Sequence, residues 1–376
     1  MPALRNSRMR VLVTGANGFL GKNLCLRLKE LGTIEVLPIT RESSESELES
    51  ALNQADFIFH LAGVNRPQDP KEFQTGNAVV TQSICNSLIA TNKAIPIVYT
   101  SSTQASLNNA YGSSKLEAED ALNAYSKACG AKVYIYRLPN IFGKWCKPNY
   151  NSAVATFCHN IARGLPITIN NPTAELKLVY VDDVVSAFID LIQTSNLQDR
   201  FLEISPVYST SVGSLAAQIE VFRDSRDTLV TERVGTGFIR ALYSTYVSYL
   251  PTDQFSYEIP KHADPRGEFV EMLKTQDSGQ FSFFTAHSGI TRGGHYHHSK
   301  TEKFLVIRGK ACFGFKHMIS GEKYELVTEG SKPEIVETVP GWTHDITNIG
   351  EDEMIVMLWA NEIFDRDHPD TIAEKV

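Results

Sequence analysis

A short apolar run, Met9–Thr14, leads directly into Gly15-x-x-Gly18-x-x-Gly21, and this junction constrains the fold more than any other feature of the chain. Leu20, Leu24, Leu28 and Leu31 follow at helical spacing and mark one apolar face. A buried strand, a glycine turn and an amphipathic helix open a parallel, doubly wound sheet. The glycines make the turn, let backbone approach a pyrophosphate and leave the helix N-terminus free to bind it. Apolar runs recur at Ile34–Ile39, Phe57–Ala62, Ile95–Thr100 and Lys132–Leu138, with helical stretches between them, notably Tyr111–Cys129. Strand alternating with helix predicts an α/β fold over this part.

The second strand ends Pro-Ile-Thr-Arg41. NAD-binding folds of this kind place an acid about 20 residues beyond the glycines to hold the ribose hydroxyls. Arg41 would instead pair with a 2′-phosphate, so NADPH is expected over NADH, although Glu42 is adjacent. Tyr111-x-x-x-Lys115 sets a phenol and an ammonium on one helix face. The ammonium is expected to lower the phenol pKa and make it a general acid or base. Ser102 ends the preceding strand and can hold a reacting oxygen; Thr103 competes for that role.

Beyond about residue 250 the pattern changes. Tyr243–Ser256 is rich in Tyr and Ser and reads as a linker, or as tyrosines packing between domains. We therefore expect domains at 1–250 and 251–376. The last part holds short runs, Phe269–Leu273, Phe281–Thr285, Phe304–Ile307, Tyr324–Val327 and Ile355–Trp359, separated by Gly, Asp, Pro and Ser. This predicts an all-β jelly roll or barrel. His295-x-His297 puts two imidazoles on one face of a strand, Glu302 follows a turn, and His344 arrives from a distant strand. Such a set suits Zn²⁺, and also iron or manganese. His298 is expected on the opposite face.

With 376 residues, the chain is long enough for both domains. Its net charge of −7 argues against nucleic acid as the main partner. No apolar run approaches the roughly 20 residues that span a bilayer. The opening MPALRNSRMRVLVTG does not read as a signal peptide, and the six cysteines form no Cys-x-x-Cys. A reduced, cytoplasmic protein is the expectation.

The first part resembles the extended short-chain dehydrogenases/reductases of the sugar-nucleotide type, with a Rossmann-like sheet. Gly15, Gly18 and Gly21 match their cofactor turn, and His60-Leu-Ala-Gly63 resembles the stretch beside the adenine. Arg137-Leu-Pro-Asn-Ile-Phe-Gly143 resembles the segment whose proline lies near the nicotinamide. Tyr180-Val-Asp-Asp183 resembles a later motif on the substrate side. The resemblance implies Ser102, Tyr111 and Lys115 as catalytic. It implies cofactor contacts from Gly15, Gly18, Phe19, Leu20, Gly21, Arg41, Leu61, Ala62, Gly63, Tyr111, Lys115 and Pro139. Asn65, Asn140, Lys144, Asn149 and Asn151 are implied for the substrate. Lys144–Asn151 suits a phosphate and uracil pocket or an exposed loop, and Asn151 is expected to begin a helix running to Arg163.

The last part, about residues 260–365, resembles the cupin superfamily. Its second motif departs by one position, with Val339-Pro340-Gly341 at the turn. Arg292-Gly-Gly-His-Tyr-His297 is also similar to metal-free sugar 3,5-epimerases, where the histidine is catalytic, so His295 is either ligand or base. Tyr296, His298 and Lys303 are candidate proton carriers.

The order of the two parts resembles the bifunctional capsular polysaccharide biosynthesis enzymes of the CapF type over nearly the whole chain. The matching stretches include Lys144–Asn151, Phe255-Ser-Tyr257 and Glu302-Lys-Phe-Leu-Val306. That resemblance implies a UDP-linked 4-keto-6-deoxy-N-acetylhexosamine, epimerised at C3 by the cupin part. It further implies reduction at C4 with NADPH, giving UDP-N-acetyl-6-deoxy-L-talosamine on the route to N-acetyl-L-fucosamine, by a homodimer. Three alternatives stand beside it: a redox-neutral 4-epimerase with a structural metal, a non-catalytic NADP or sugar sensor, and an iron-dependent oxygenase.

Overall fold

The computed structural model describes residues 8–194, 200–260, 262–264, 267–269, 272–275, 279–362 and 367–376. Val270 and Glu271, inside the run expected at Phe269–Leu273, lie outside the described residues, as do the first seven of the chain. Two compact units form, one from residues 1–141 and 177–209, the other from residues 142–176 and 210–376. Residues 210–250 group with the C-terminal strands in the second of these units.

The first unit holds a six-stranded, all-parallel sheet. Its order is Ile34–Ile39, Met9–Thr14, Phe57–His60, Ile97–Ser102, Val133–Leu138 and Phe201–Leu202. Alternate side chains leave on opposite faces. Leu12, Ile58, Ile97 and Ile135 pack with Leu52, Ile84, Leu88, Leu122 and Tyr125 on one face. On the other, Phe59 and Tyr136 lie 5.3 and 5.1 Å from the ring of Phe188, on helix Val181–Thr194. The chain crosses from one side of Met9–Thr14 to the other after its second strand. Such a reversal opens a crevice at the carboxyl ends of the strands, where ligands of this fold class bind. Local signals fix the helices that flank it. Ser44 and Glu47 make a reciprocal capping box for Glu45–Gln54. Asn109 caps Ala110–Cys129 by accepting from Gly112 N–H at 2.7 Å, and Gly130 ends that helix at φ +68°.

Among its described residues, the second unit combines three helices with two five-stranded antiparallel sheets. One sheet runs Ser256–Glu258, Glu334–Glu337, Glu302–Arg308, Met354–Ala360 and Gln280–Ala286. The other runs Lys323–Glu329, Lys310–His317, Trp342–Asn348, Thr291–Tyr296 and Ile372–Ala373. Phe304 contacts Phe284, Phe313 and His344 between them, so the core is aromatic around the histidines. Helices Ala153–Ala162, Val212–Thr228 and Gly237–Val247 pack on one another. The last of these overturns the linker reading, since it continues through Tyr243 and Tyr246, both buried. Ser152, not Asn151, starts the first of them, accepting from Ala155 N–H at 3.2 Å.

Candidate active sites

In the first unit, Gly15 adopts φ +68°, and a Cβ there would stand 2.8 Å from the backbone nitrogen of Ala62. A Cβ on Gly21 would collide with the carbonyl of Gly15. The turn therefore closes tightly against the end of strand Phe57–His60, beside the exposed N-terminus of helix Phe19–Glu30. Gly18 N–H donates to Gly15 O at 2.8 Å, and Phe19 and Leu20 begin the helix. Thr14 Oγ1 ties the two strands together, 2.7 Å from His60 Nδ1 and accepting from Ala62 N–H at 3.2 Å. His60 Nε2 lies 2.9 Å from Thr81 Oγ1.

Leu61, Ala62 and Gly63 follow that strand. A Cβ on Gly63 would stand 2.8 Å from Asn77 Oδ1 and 3.2 Å from Lys115 Nζ, so this stretch faces helix Ala110–Cys129. Lys115 is buried, donates to Thr100 O at 3.0 Å, and lies 6.0 Å from the centre of the Tyr111 ring. Tyr111 donates to Asn65 Oδ1 at 3.2 Å. Ser102 is buried and near enough to the phenol to oppose its upward pKa shift, whereas Thr103 is exposed at the start of a short 3₁₀ turn. Ser102, Tyr111, Lys115 and Asn65 thus converge.

The expected acidification of the phenol is not found. Burial raises the Tyr111 pKa, and Ser102 only opposes it. Burial lowers the Lys115 pKa to about 8, with Glu119 opposing. Arg41 is exposed on the turn after Ile34–Ile39, while Glu42 accepts from Thr40 Oγ1 at 2.7 Å. Pro139 and Asn140 follow strand Val133–Leu138, and Asn140 is exposed.

Sequence reasoning missed Asn77, which clamps the Val64 backbone on both sides and donates to Ser114 Oγ at 3.0 Å. It also missed Glu119, which accepts from Ser101 and Arg137. Both bonds span the fold, so no local pattern announces them.

In the second unit, His295, His297, Glu302 and His344 bring four ligand atoms within 4.8 Å of one another. Strands Thr291–Tyr296 and Trp342–Asn348 pair His295 with His344, across a bulge after Gly293. His297 Nε2 lies 3.1 Å from Glu302 Oε2, and His344 Nε2 lies 3.4 Å from the same oxygen without a well-formed hydrogen bond. Burial lowers the His295 pKa to about 4, helped by the neighbouring imidazoles, and also lowers that of His344. Burial disfavours charge on His297 and Glu302 as well, but their mutual attraction wins, raising the first and holding the second well below the carboxylate range. Three imidazoles and a carboxylate, buried or nearly so and converging, fit a divalent metal.

A cavity of about 180 Å³ adjoins the cluster, lined among others by His295, Glu302, His344, Arg292 and Asp345. Tyr296, His298 and Lys303 do not line it. His298 is buried beside the Tyr296 ring. Lys303 leaves its strand on the face opposite Glu302, pairs with buried Glu337 and donates to Tyr257 Oη at 3.0 Å. His298, in the turn after strand Thr291–Tyr296, and Lys303, on the strand face opposite Glu302, therefore do not line this cavity.

Of the residues expected to hold substrate, Lys144 is buried with its ammonium 5.3 Å from the Trp145 ring, and Asn149 and Asn151 are exposed. Trp145, at φ +68°, packs on the turn before His344, where a Cβ on Gly341 would stand 2.7 Å from its ring. No described helix is long and apolar enough to cross a membrane.

Comparison with known proteins agrees with this division of chemistry. Residues 11–202 match the NAD dependent epimerase/dehydratase family, and residues 262–372 match the polysaccharide biosynthesis C-terminal domain. A curated Pseudomonas aeruginosa protein, UDP-2-acetamido-2,6-beta-L-arabino-hexul-4-ose reductase, is 61% identical over 365 residues, 97% of this chain and 98% of the relative. The crystal structure of capsular polysaccharide assembling protein CapF from Staphylococcus aureus aligns with TM-score 0.68 and 42% identity, over 98% of this chain and 100% of that one. Bordetella bronchiseptica WbmF in complex with NAD⁺, at 22% identity and TM-score 0.51, covers 58% of this chain and 79% of its own, and shares the fold. A relative that similar along almost the whole chain, joined to both family matches, makes this chain a member of the CapF-type family of capsular polysaccharide biosynthesis enzymes.

Proposed function

We propose that the chain is a bifunctional UDP-sugar enzyme. Its cupin part epimerises C3 of a UDP-linked 4-keto-6-deoxy-N-acetylhexosamine, and its reductase part then reduces C4 to give UDP-N-acetyl-6-deoxy-L-talosamine. The observation that carries this is the presence, in one chain, of two separate sets: Ser102, Tyr111 and Lys115, and the buried His295, His297, Glu302 and His344. The 61% identical relative is a reductase whose name describes an N-acetylated 4-ketose, which supports the substrate class.

NADPH, when bound at the Gly15 turn, supplies the hydride. Arg41 supports the 2′-phosphate form, because its neighbour Glu42 is engaged by Thr40 and is not offered to a ribose. Tyr111, its pKa raised by burial, holds its proton at neutral pH and can give it to the C4 oxygen. Ser102 holds that oxygen, and Lys115 keeps positive charge beside it. Asn65 positions the phenol.

A metal held by His295, His297, Glu302 and His344, Zn²⁺ by donor type, supplies Lewis acidity next to a ketone. A proton α to a ketone is removable once charge on the oxygen is stabilised. The alternative role of His295 as the base stays in play on one observation: it is the least buried of the four and lines the cavity. The family also supports a homodimer, which light scattering would test.

The test is incubation with the UDP-linked 4-keto sugar in deuterated water, with and without NADPH. Deuterium should enter at C3 without NADPH, be lost in His297→Ala and persist in Tyr111→Phe. NADPH consumption should be lost in Tyr111→Phe. No exchange at C3, with NADPH still consumed, would leave a simple ketone reductase.

A further inference from the structure

The C-terminal segment closes over one corner of the histidine cluster. Ala373 and Ile372 pair with His295 and Tyr296, and Glu374 N–H donates to Gly294 O at 2.9 Å. Just before this strand, the carbonyl of Asp370 meets Nδ1 of His297. A carbonyl only accepts, so Nδ1 carries the proton and Nε2 is the nitrogen turned to the cluster.

The Asp370 side chain makes a second set of contacts. Its Oδ1 accepts from His298 N–H at 2.8 Å. Its Oδ2 accepts from Ser299 N–H at 2.7 Å, Lys300 N–H at 2.8 Å and the Ser299 hydroxyl at 3.0 Å. Three successive amides converging on one carboxylate make a nest for negative charge. That nest is the turn joining His297 to Glu302, so the same residue fixes one imidazole and the backbone between two members of the cluster.

We propose that Asp370 is a positioning residue of the metal centre: its carboxylate locks the 298–300 turn that spaces His297 from Glu302, and so also holds its own backbone carbonyl against Nδ1 of His297. This rests on the reading of the cluster as a metal site. Because the amides are backbone donors, changing side chains at 298 or 300 would not undo the clamp. Asp370→Asn would turn an amide NH2 toward donors already there, whereas Asp370→Glu keeps the charge at a longer reach.

The experiment strips the full-length chain with a chelator. It then titrates Co²⁺, and Zn²⁺ in competition with a chromophoric chelator, recording the visible cobalt bands and apo-protein melting. Wild type, His344→Ala, Asp370→Asn, Asp370→Glu and Lys316→Ala are compared. Lys316→Ala loosens the same segment through its 3.0 Å pair with Glu374, without touching His297. Asp370→Asn should weaken metal binding by about 10- to 100-fold, the usual range for an outer partner of a ligating histidine, and shift the cobalt bands. Asp370→Glu should recover part of both, and Lys316→Ala should match wild type. If wild type holds no metal, or His344→Ala binds as well as wild type, the metal reading itself fails and takes this role with it. If His344→Ala loses metal while Asp370→Asn keeps wild-type affinity and bands, the positioning role is refuted and the metal centre stands. Should Asp370→Asn not fold, Asp370→Glu carries the comparison: bands and affinity identical to wild type would refute the role.

Discussion

Lys115 and Glu119 lie one helical turn apart on helix Ala110–Cys129, and both are buried. The carboxylate accepts from Ser101 Oγ at 2.5 Å and from Arg137 at 2.6 and 3.0 Å, so it is held in place. It holds the proton on a lysine that burial would otherwise discharge, leaving the Lys115 pKa at about 8.

Reduction should therefore lose kcat/KM as pH rises through about 8, where Lys115 gives up its charge. Removing the carboxylate lowers the lysine pKa further, so Glu119→Gln should move this break to lower pH. A pH–rate profile with the break unmoved would detach Lys115 from it.

His60 provides a separate pH effect, on stability. Burial, with the nearby Lys115 charge, lowers its pKa from 6.5 to about 3. The folded state keeps the ring neutral, while the unfolded chain takes up a proton below 6.5. The contribution is thus present above pH 6.5 and declines as pH falls toward 3. His60→Gln should be less stable than wild type at pH 7.5, with a gap that narrows on acidification. Urea unfolding at several pH values checks this, and a constant gap would contradict it.

Much of both sites could be read from spacing. The strand–glycine–helix junction, the four-residue step from Tyr111 to Lys115 and the two-residue step from His295 to His297 are local periodicities, and each encodes a shared face directly. Asp370 and Glu337 were invisible because their partners are distant: 72 residues from His298 in one case, 111 from Arg226 in the other. The same reason hid the attachment of helices Val212–Thr228 and Gly237–Val247 to the second unit. An amphipathic pattern shows that a face is buried, not what buries it. Tyr243–Ser256 reads as a linker because it is rich in Tyr and Ser and breaks the strand–helix alternation, yet Ser244 donates to the Ser299 carbonyl and the nearby tyrosines are buried.

The Gly15 turn should not tolerate a methyl. A left-handed conformation costs an L-residue roughly 1–2 kcal/mol, and the Cβ would also press on the Ala62 backbone. Gly15→Ala should lower stability by at least that amount and abolish NADPH binding in a fluorescence titration. Wild-type binding would remove this turn from the cofactor site.

Glu337 sits between Arg226 and Lys303; it and Lys303 are buried, and Arg226 is partly so. Glu337→Gln leaves two cations facing each other and should cost about 3–5 kcal/mol, as stranding a buried charge does. Lys303→Met leaves the Arg226–Glu337 pair intact and should cost less. It should also keep C3 deuterium exchange, since Lys303 faces away from the cavity. Exchange lost in a well-folded Lys303→Met protein would return Lys303 to the chemistry.

Glu302 and Lys303 are neighbours on one strand, yet they serve two charge systems on opposite faces, one with three imidazoles and one with Glu337. A strand paired one residue out of step would exchange them. It would bury an ammonium among the histidines and set Glu302 against another carboxylate. A one-residue slip of this strand thus misplaces both charges at once. The ions that equip the site also act as a proofreading device for its assembly, rejecting the wrong register before any metal arrives.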